Sequence, residues 1–149
     1  MKMMLIRPGD PLWDKTIVFA RNCPWKAGPI LAGRMAENGF QDWERVIIAT
    51  DHEKVVGFCT ICEKDELPEK YPFSPFIGFV FVDEKYRGKR ISGQMIETAV
   101  QYAKKLGYQE VYIMSGEQGL YEKYGFEKIG DFATIYGTTD QLFRRWIVD

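Results

Sequence analysis

The chain is poor in the features that usually betray a function. It has one histidine and three cysteines in 149 residues. The histidine, His52, lies in a turn with no serine or cysteine partner suggested nearby, so a hydrolase triad has no footing. An odd cysteine count in apolar settings excludes a complete disulfide framework and points to a reduced, cytoplasmic protein. Cys59 and Cys62 form a CxxC, but within a run that reads as a strand. Side chains three apart there point to opposite faces, so a buried structural role is expected rather than a bridge or a metal site. No apolar run nears the roughly 18 residues of a membrane span, and the apolar part of 1–8 is too short for a signal peptide. The formal net charge of −1 gives no global field toward nucleic acid or an anionic membrane. Repeats, low-complexity tracts and linkers are also lacking, so one domain over 1–149 is expected. Neither the GxxxxGK[ST] phosphate loop nor the GxGxxG dinucleotide turn occurs.

What the chain does have is aromatic and apolar residues set at readable spacings. Ten Phe, eight Tyr and four Trp are a large core supply for this length. Met3 to Arg7 reads as a first strand. Asp10 and Pro11 then read as N-cap and first residue of a helix bearing Leu12, Trp13, Thr16, Ile17 and Ala20 at helical spacing. A second helix is expected from Pro29 to Asn38, stopped by Gly39. Trp43 to Thr50 and Lys54 to Glu63 flank a tight turn and read as an antiparallel hairpin. Phe76 to Val82 is apolar throughout, as in a strand buried on both faces. Ile91 to Leu106 is an amphipathic helix ended by Gly107. Val111 to Met114 is a short strand, so 76–114 forms a parallel strand–helix–strand crossover. A short helix over 117–124 and a last antiparallel pair, Phe126 to Tyr136 and Gln141 to Val148, complete the reading.

The turn between the strand at 76–82 and the helix at 91–106 is the most informative stretch: Tyr86-Arg87-Gly88-Lys89-Arg90-Ile91-Ser92-Gly93. A helix start offers backbone N–H groups without intrahelical partners, and the helix dipole adds positive potential there. Arg87, Lys89 and Arg90 add full charges, so the turn suits a pyrophosphate. It resembles the pyrophosphate-binding motif of the GNAT-type N-acetyltransferases, roughly Arg/Gln-x-x-Gly-x-Gly/Ala after a strand. Arg87 matches the first position; Arg90 stands where glycine is usual, and Ser92 where glycine or alanine is usual. Downstream, Leu120-Tyr121-Glu122-Lys123-Tyr124-Gly125-Phe126 resembles the late Leu/Phe-Tyr-x-Lys-x-Gly-Phe signature of the same superfamily. The resemblance covers Ser74 to the C-terminus by motif and the first half by element order.

The resemblance implies an α/β (α+β) fold. Its central sheet would be mixed and mostly antiparallel, with about six to seven strands and about four flanking helices. It implies an N-acetyltransferase that moves an acetyl group from acetyl-CoA to a primary amine by direct attack, with no metal. Cofactor contacts then fall on Phe81, Val82, Arg87, Gly88, Lys89, Arg90, Ile91, Ser92 and Gly93. The family motif gives Tyr121 the role of acid toward the departing thiolate, with Tyr124 as competitor. Backbone N–H groups where the fourth strand bulges polarise the carbonyl, matched here by Phe81 and Val82.

A lysine-like amine with a pKa of about 10.4 is neutral roughly once in a thousand molecules at pH 7, so a base is needed. Relatives often place a glutamate near the start of the fourth strand; here 71–76 carries no carboxylate. Glu63, Asp65 and Glu117 are the alternatives. Ser115 stands near where the family often has an asparagine for the pantetheine arm. The acceptor, a small-molecule amine or a peptide or protein amine, would enter between the first two helices and the 63–75 loop. Trp13, Trp25, Tyr71 and Phe73 would line its path, and Glu63, Asp65, Glu66 and Glu69 would draw a cation. Two rivals remain open. One is a CoA-binding regulatory module without turnover. The other is an interaction protein whose segment 142–148 pairs across subunits as an exposed edge, giving a homodimer.

Overall fold

The computed structural model describes residues 1–148. Its seven-stranded sheet has the order β1-β2-β3-β4-β5-β7-β6. The strands are β1 (Lys2–Ile6), β2 (Arg45–Asp51), β3 (Lys54–Cys62), β4 (Phe76–Val82), β5 (Glu110–Ser115), β6 (Glu127–Ala133) and β7 (Thr139–Trp146). Helices α1 (Trp13–Asn22), α2 (Ala27–Ala36) and α3 (Ile91–Lys105) pack around it. Every neighbouring pair is antiparallel except β4 and β5. That parallel contact has a single register pair, Phe76 with Tyr112. Beyond it the two strands part, and the gap between them becomes the cleft described below.

Alternation along the strands builds two cores. Val46, Ile48 and Phe58 join the cluster under α1 and α2, with Ile17, Leu31 and Met35. Ile47, Ala49 and Cys59 turn the other way and pack with α3. From α3, Ile91, Met95, Ile96 and Val100 are at most 3% exposed. Each such side chain contributes roughly 1.5–3 kcal/mol of burial, before the entropy of ordering is counted. Replacing Ile96 by aspartate would leave an unpaired charge in the middle of that face. The 63–75 loop covers a third cluster, in which Leu67 packs with Phe76, Tyr112, Met114 and Leu142.

Helix ends show where local signals held and where they moved. After α3, Gly107 adopts φ 93°. Its N–H donates to Lys104 O at 3.0 Å, and Tyr108 N–H donates to Ala103 O at 3.1 Å, closing a Schellman motif. After α2 the left-handed position falls on Asn38 (φ 54°) rather than Gly39, whose N–H donates back to Arg34 O at 2.9 Å. α2 also begins before Pro29, because the first helical turn leaves N–H groups unpaired and tolerates proline. Asp10 does not cap α1. Its carboxylate accepts the Arg7 N–H at 2.7 Å and closes the preceding turn, and the helix starts at Trp13. The expected helix at 117–124 is reduced to one 3-10 turn, Tyr121–Tyr124.

Cys59 and Cys62 are buried, unbridged thiols. Burial pushes the Cys62 thiol up to about 12, and Cys59 rises for the same reason. The segment proposed as an exposed edge is not one: β7 is paired on one side with β5 and on the other with β6. Both of its backbone rows are therefore occupied within the sheet up to Arg144; Arg145 and Trp146 pair with β5 alone. No helix among the described residues is long and apolar enough to cross a membrane.

Candidate active site

The cleft between β4 and β5 has a volume of about 1250 Å³. β4 contributes a bulge. Phe58 pairs with Phe81 and Thr60 with Gly78, so β4 carries one residue more than β3 across the interval. Phe79, within the bulge, is held at φ 53°. Past the bulge, Asp83 N–H donates to Val56 O at 2.8 Å. This fixes the alternation: Phe81 and Asp83 turn their backbone groups toward β3, and Val82 turns its own toward the cleft. The Val82 carbonyl is taken by Arg87 Nε at 3.0 Å. Of the two positions assigned a backbone role from the sequence, the ladder leaves Val82's N–H facing the gap and commits Phe81's to β3.

The basic turn forms one end of the cleft. Asp83 caps a 3-10 turn, Glu84–Tyr86, by accepting the Lys85 N–H at 3.0 Å. Gly88 follows at φ 80° with open space around it, and Arg90 is left-handed at φ 61°, immediately before α3. A non-glycine residue there costs on the order of 1–2 kcal/mol. This accounts for glycine being usual at that position in the motif. Arg87, Gly88, Arg90, Ile91 and Ser92 line the cleft. Lys89 instead sits 5.5 Å over the Tyr86 ring. Gly93 lies under Tyr124: a Cβ there would stand 2.7 Å from the ring. Ser92 Oγ and the Tyr124 hydroxyl lie 2.8 Å apart, so the serine is already engaged. The left-handed turns, the absence of side chains at Gly88 and Gly93 and the guanidinium groups fit a pyrophosphate.

Tyr121 sits further along, 5% exposed against Phe143 and Phe126. Burial pushes its phenol up to about 12, opposed by a hydrogen bond with Ser115. The phenol is therefore protonated at neutral pH. Tyr124 lines the same cleft, with its ring over Gly93 and its hydroxyl against Ser92.

The opposite end of the cleft is acidic. Asp65, Glu66, Glu117 and Asp140 all line it. Gly78 and Gly116 lie in contact range of two of them. A Cβ on Gly78 would stand 3.4 Å from the Asp65 carboxylate, and one on Gly116 would stand 3.8 Å from Asp140 Oδ1. Burial pushes Asp65 up to about 7, with the Glu66 charge acting in the same direction and Arg34 against it. Glu66 is raised by burial and by Asp140. Gln141 Nε2 donates to Ser115 O at 2.9 Å and to Glu117 O at 3.0 Å, which fixes the 115–117 turn. Ile135 N–H donates to Glu66 O at 2.8 Å and ties the 63–75 loop to the β6–β7 hairpin.

Of the three candidate bases, Asp65 and Glu117 face the cleft. Glu63 points elsewhere and accepts from Gln41 Nε2 at 2.6 Å. Asp140 was not singled out from the sequence, and no local signal marked it: it is one acid on a strand 75 residues from Asp65.

Comparison with known proteins agrees with this geometry. The family model described as an acetyltransferase (GNAT) domain matches residues 42–128. The chain is 30% identical over 127 residues to the uncharacterized N-acetyltransferase YhbS of Escherichia coli (strain K12), covering 83% of this chain and 74% of that one. It is 30% identical over 101 residues to human N-acetyltransferase 8, covering 64% of this chain. It spans only 42% of the length of that relative. Among solved structures, an aminoglycoside 6'-N-acetyltransferase complexed with coenzyme A superposes with a TM-score of 0.73 at 16% identity, covering 100% of this chain and 98% of that chain.

Proposed function

The chain belongs to the GNAT acetyltransferase family and is an acyltransferase, and from that premise we propose that it acetylates a primary amine directly from acetyl-CoA within one domain over 1–149. One observation carries this reading: a single cleft joins an anion cradle to a carboxylate cluster, with a protonated tyrosine on its wall. The pyrophosphate would rest on Arg87, Gly88, Arg90, Ile91, Ser92 and Gly93, with Lys89 adding charge at the rim. The pantetheine arm would run along β4 in the gap left by β5, taking Val82's N–H as a strand would, with Phe81 beneath it.

Asp65 is the base in this reading. A carboxyl group poised near 7 is ionised often enough, and basic enough, to take a proton from an ammonium ion. The neutral nitrogen then attacks the thioester carbonyl, the C–S bond breaks, and Tyr121 gives its proton to the sulfur. The second proton released by nitrogen restores the phenol. Acetylated amine, CoA thiol and one proton leave. The missing carboxylate at 71–76 is the best support for a module without turnover; Asp65, lying against β4 at Gly78, supports turnover instead by offering a carboxylate there. Three unbridged thiols favour a cytoplasmic setting.

The test is CoA thiol release from acetyl-CoA with a panel of amines, wild type against Tyr121→Phe. The expected result is amine-dependent release whose kcat falls about a hundredfold in the variant, with acetyl-CoA affinity held. A variant that keeps kcat within a few-fold would remove Tyr121 from this role.

A further inference from the structure

Beyond Tyr121 the cleft has two unlike walls that meet at the β4 bulge. One is aromatic. Trp25 stacks on Phe81 at 5.9 Å and 6°, and meets Phe79 edge-on at 6.4 Å. All three line the cleft, and Trp25 remains 36% exposed despite this packing. The other wall is the acid cluster, which reaches β4 at Gly78, the residue before Phe79.

The cluster lacks cations of its own. Among the described residues no Lys or Arg forms an ion pair with Asp65, Glu66, Glu117 or Asp140. Asp65 is half-buried and has no hydrogen-bond partner among the described residues; Arg34 reaches it only through its field. Glu66 bonds to Asp140, itself an acid, and Asp140 otherwise accepts the Gln141 N–H at 2.9 Å. Among the described residues no group of three or more His, Cys, Asp or Glu is placed to hold a metal ion. Half-buried acids crowded beside an exposed indole favour a counter-charge that arrives with an apolar body.

We infer that the acceptor is a diamine or polyamine, whose reacting nitrogen lies at Asp65, whose second ammonium is held by Glu66 and Asp140, and whose apolar spacer lies on Trp25 and Phe79. This rests on the reading of the cleft as an acetyltransferase site. It excludes acceptors that carry a carboxylate beside the amine, since that group would face the acids.

The experiment compares matched pairs, butylamine with 1,4-diaminobutane and pentylamine with 1,5-diaminopentane. Two readouts are taken: thiol release, and calorimetric binding to the enzyme–CoA complex. The expected result is a kcat/KM and an affinity about tenfold higher for each diamine than for its monoamine. In the Glu66→Gln, Asp140→Asn double variant this ratio should fall toward one. Both substitutions keep shape, and a thermal melt verifies folding. If the double variant fails to fold, Asp140→Asn alone supplies the check, narrowing the preference through loss of one of the two carboxylates that hold the second ammonium. Equal turnover and binding of the two amine types overturns the inference and leaves acetyl transfer standing. A diamine preference in binding without turnover of any amine supports the second cation site and overturns the proposed reaction. Absence of both binding and turnover overturns both.

Discussion

The two ends of the cleft are built in opposite ways. The basic end is local: residues 87–93 form one turn, and its charges, glycines and helix start arrive together. The acidic end is assembled from a loop at 65–66, the turn after β5 and the start of β7. Local construction fixes a site through backbone conformation; distributed construction fixes it through packing of elements far apart in sequence. The first resists drift as long as the turn folds. The second depends on the hairpin that holds Glu66 and on the bonds that fix the 115–117 turn.

Four substitutions would break or sharpen this contrast. The largest effect is expected from Asp65→Asn. Asp65 works only when ionised, so wild-type kcat/KM should rise as pH climbs through about 7 and level above it. The variant should lose about a hundredfold at pH 8, less at lower pH where the wild-type group is protonated too, and its profile should lack that limb. Stability should move the other way. Between the ordinary 3.8 and about 7, the folded carboxyl keeps a proton that the unfolded chain has released. Wild-type stability should therefore fall as pH rises through that window, and the variant should not show the slope. Denaturant midpoints across pH 4–8 measure it.

At the basic end, Gly93→Val forces a side chain into the Tyr124 ring and against its bond with Ser92. A loss of about 2 kcal/mol is expected in chemical denaturation, together with weaker acetyl-CoA binding. Arg87→Ala removes a guanidinium from the cradle and frees the Val82 carbonyl. Calorimetry should show about tenfold weaker acetyl-CoA binding and a shallower salt dependence, with the KM for amine unmoved. The smallest effect is expected from Arg90→Gly. Relief of the left-handed strain should raise stability by about 1 kcal/mol, while affinity for acetyl-CoA falls a few-fold. If basic-end variants shifted the acceptor's KM as strongly as acetyl-CoA affinity, the separation of the two ends would be wrong.

Legibility followed the same division. Phe76–Val82 was readable to the residue because seven apolar residues end at an acidic turn. α3 was readable because its six buried residues recur at helical spacing and Gly107 stops it. The turn at 87–93 was readable because its chemistry is contiguous. The conformation of Arg90 was not: a side chain with positive φ leaves no compositional mark. Segment 117–124 has helical composition yet forms only one tight turn, because Gly119 (φ 82°) and Gly125 (φ 87°) interrupt it on either side. The C-terminal segment looked like an edge because nothing in its own residues says that β6 folds back beside it.

The sequence by itself determined most of the strand and helix pattern and the anion cradle, since periodicity and local turn chemistry act within a few residues. Only the tertiary structure decided that β4 and β5 separate after one pair, that Val82 faces the opening, and that Asp65, Glu66, Glu117 and Asp140 share one wall. Those outcomes depend on strand register and on loops crossing between distant elements, and they place charges by packing rather than by spacing along the chain.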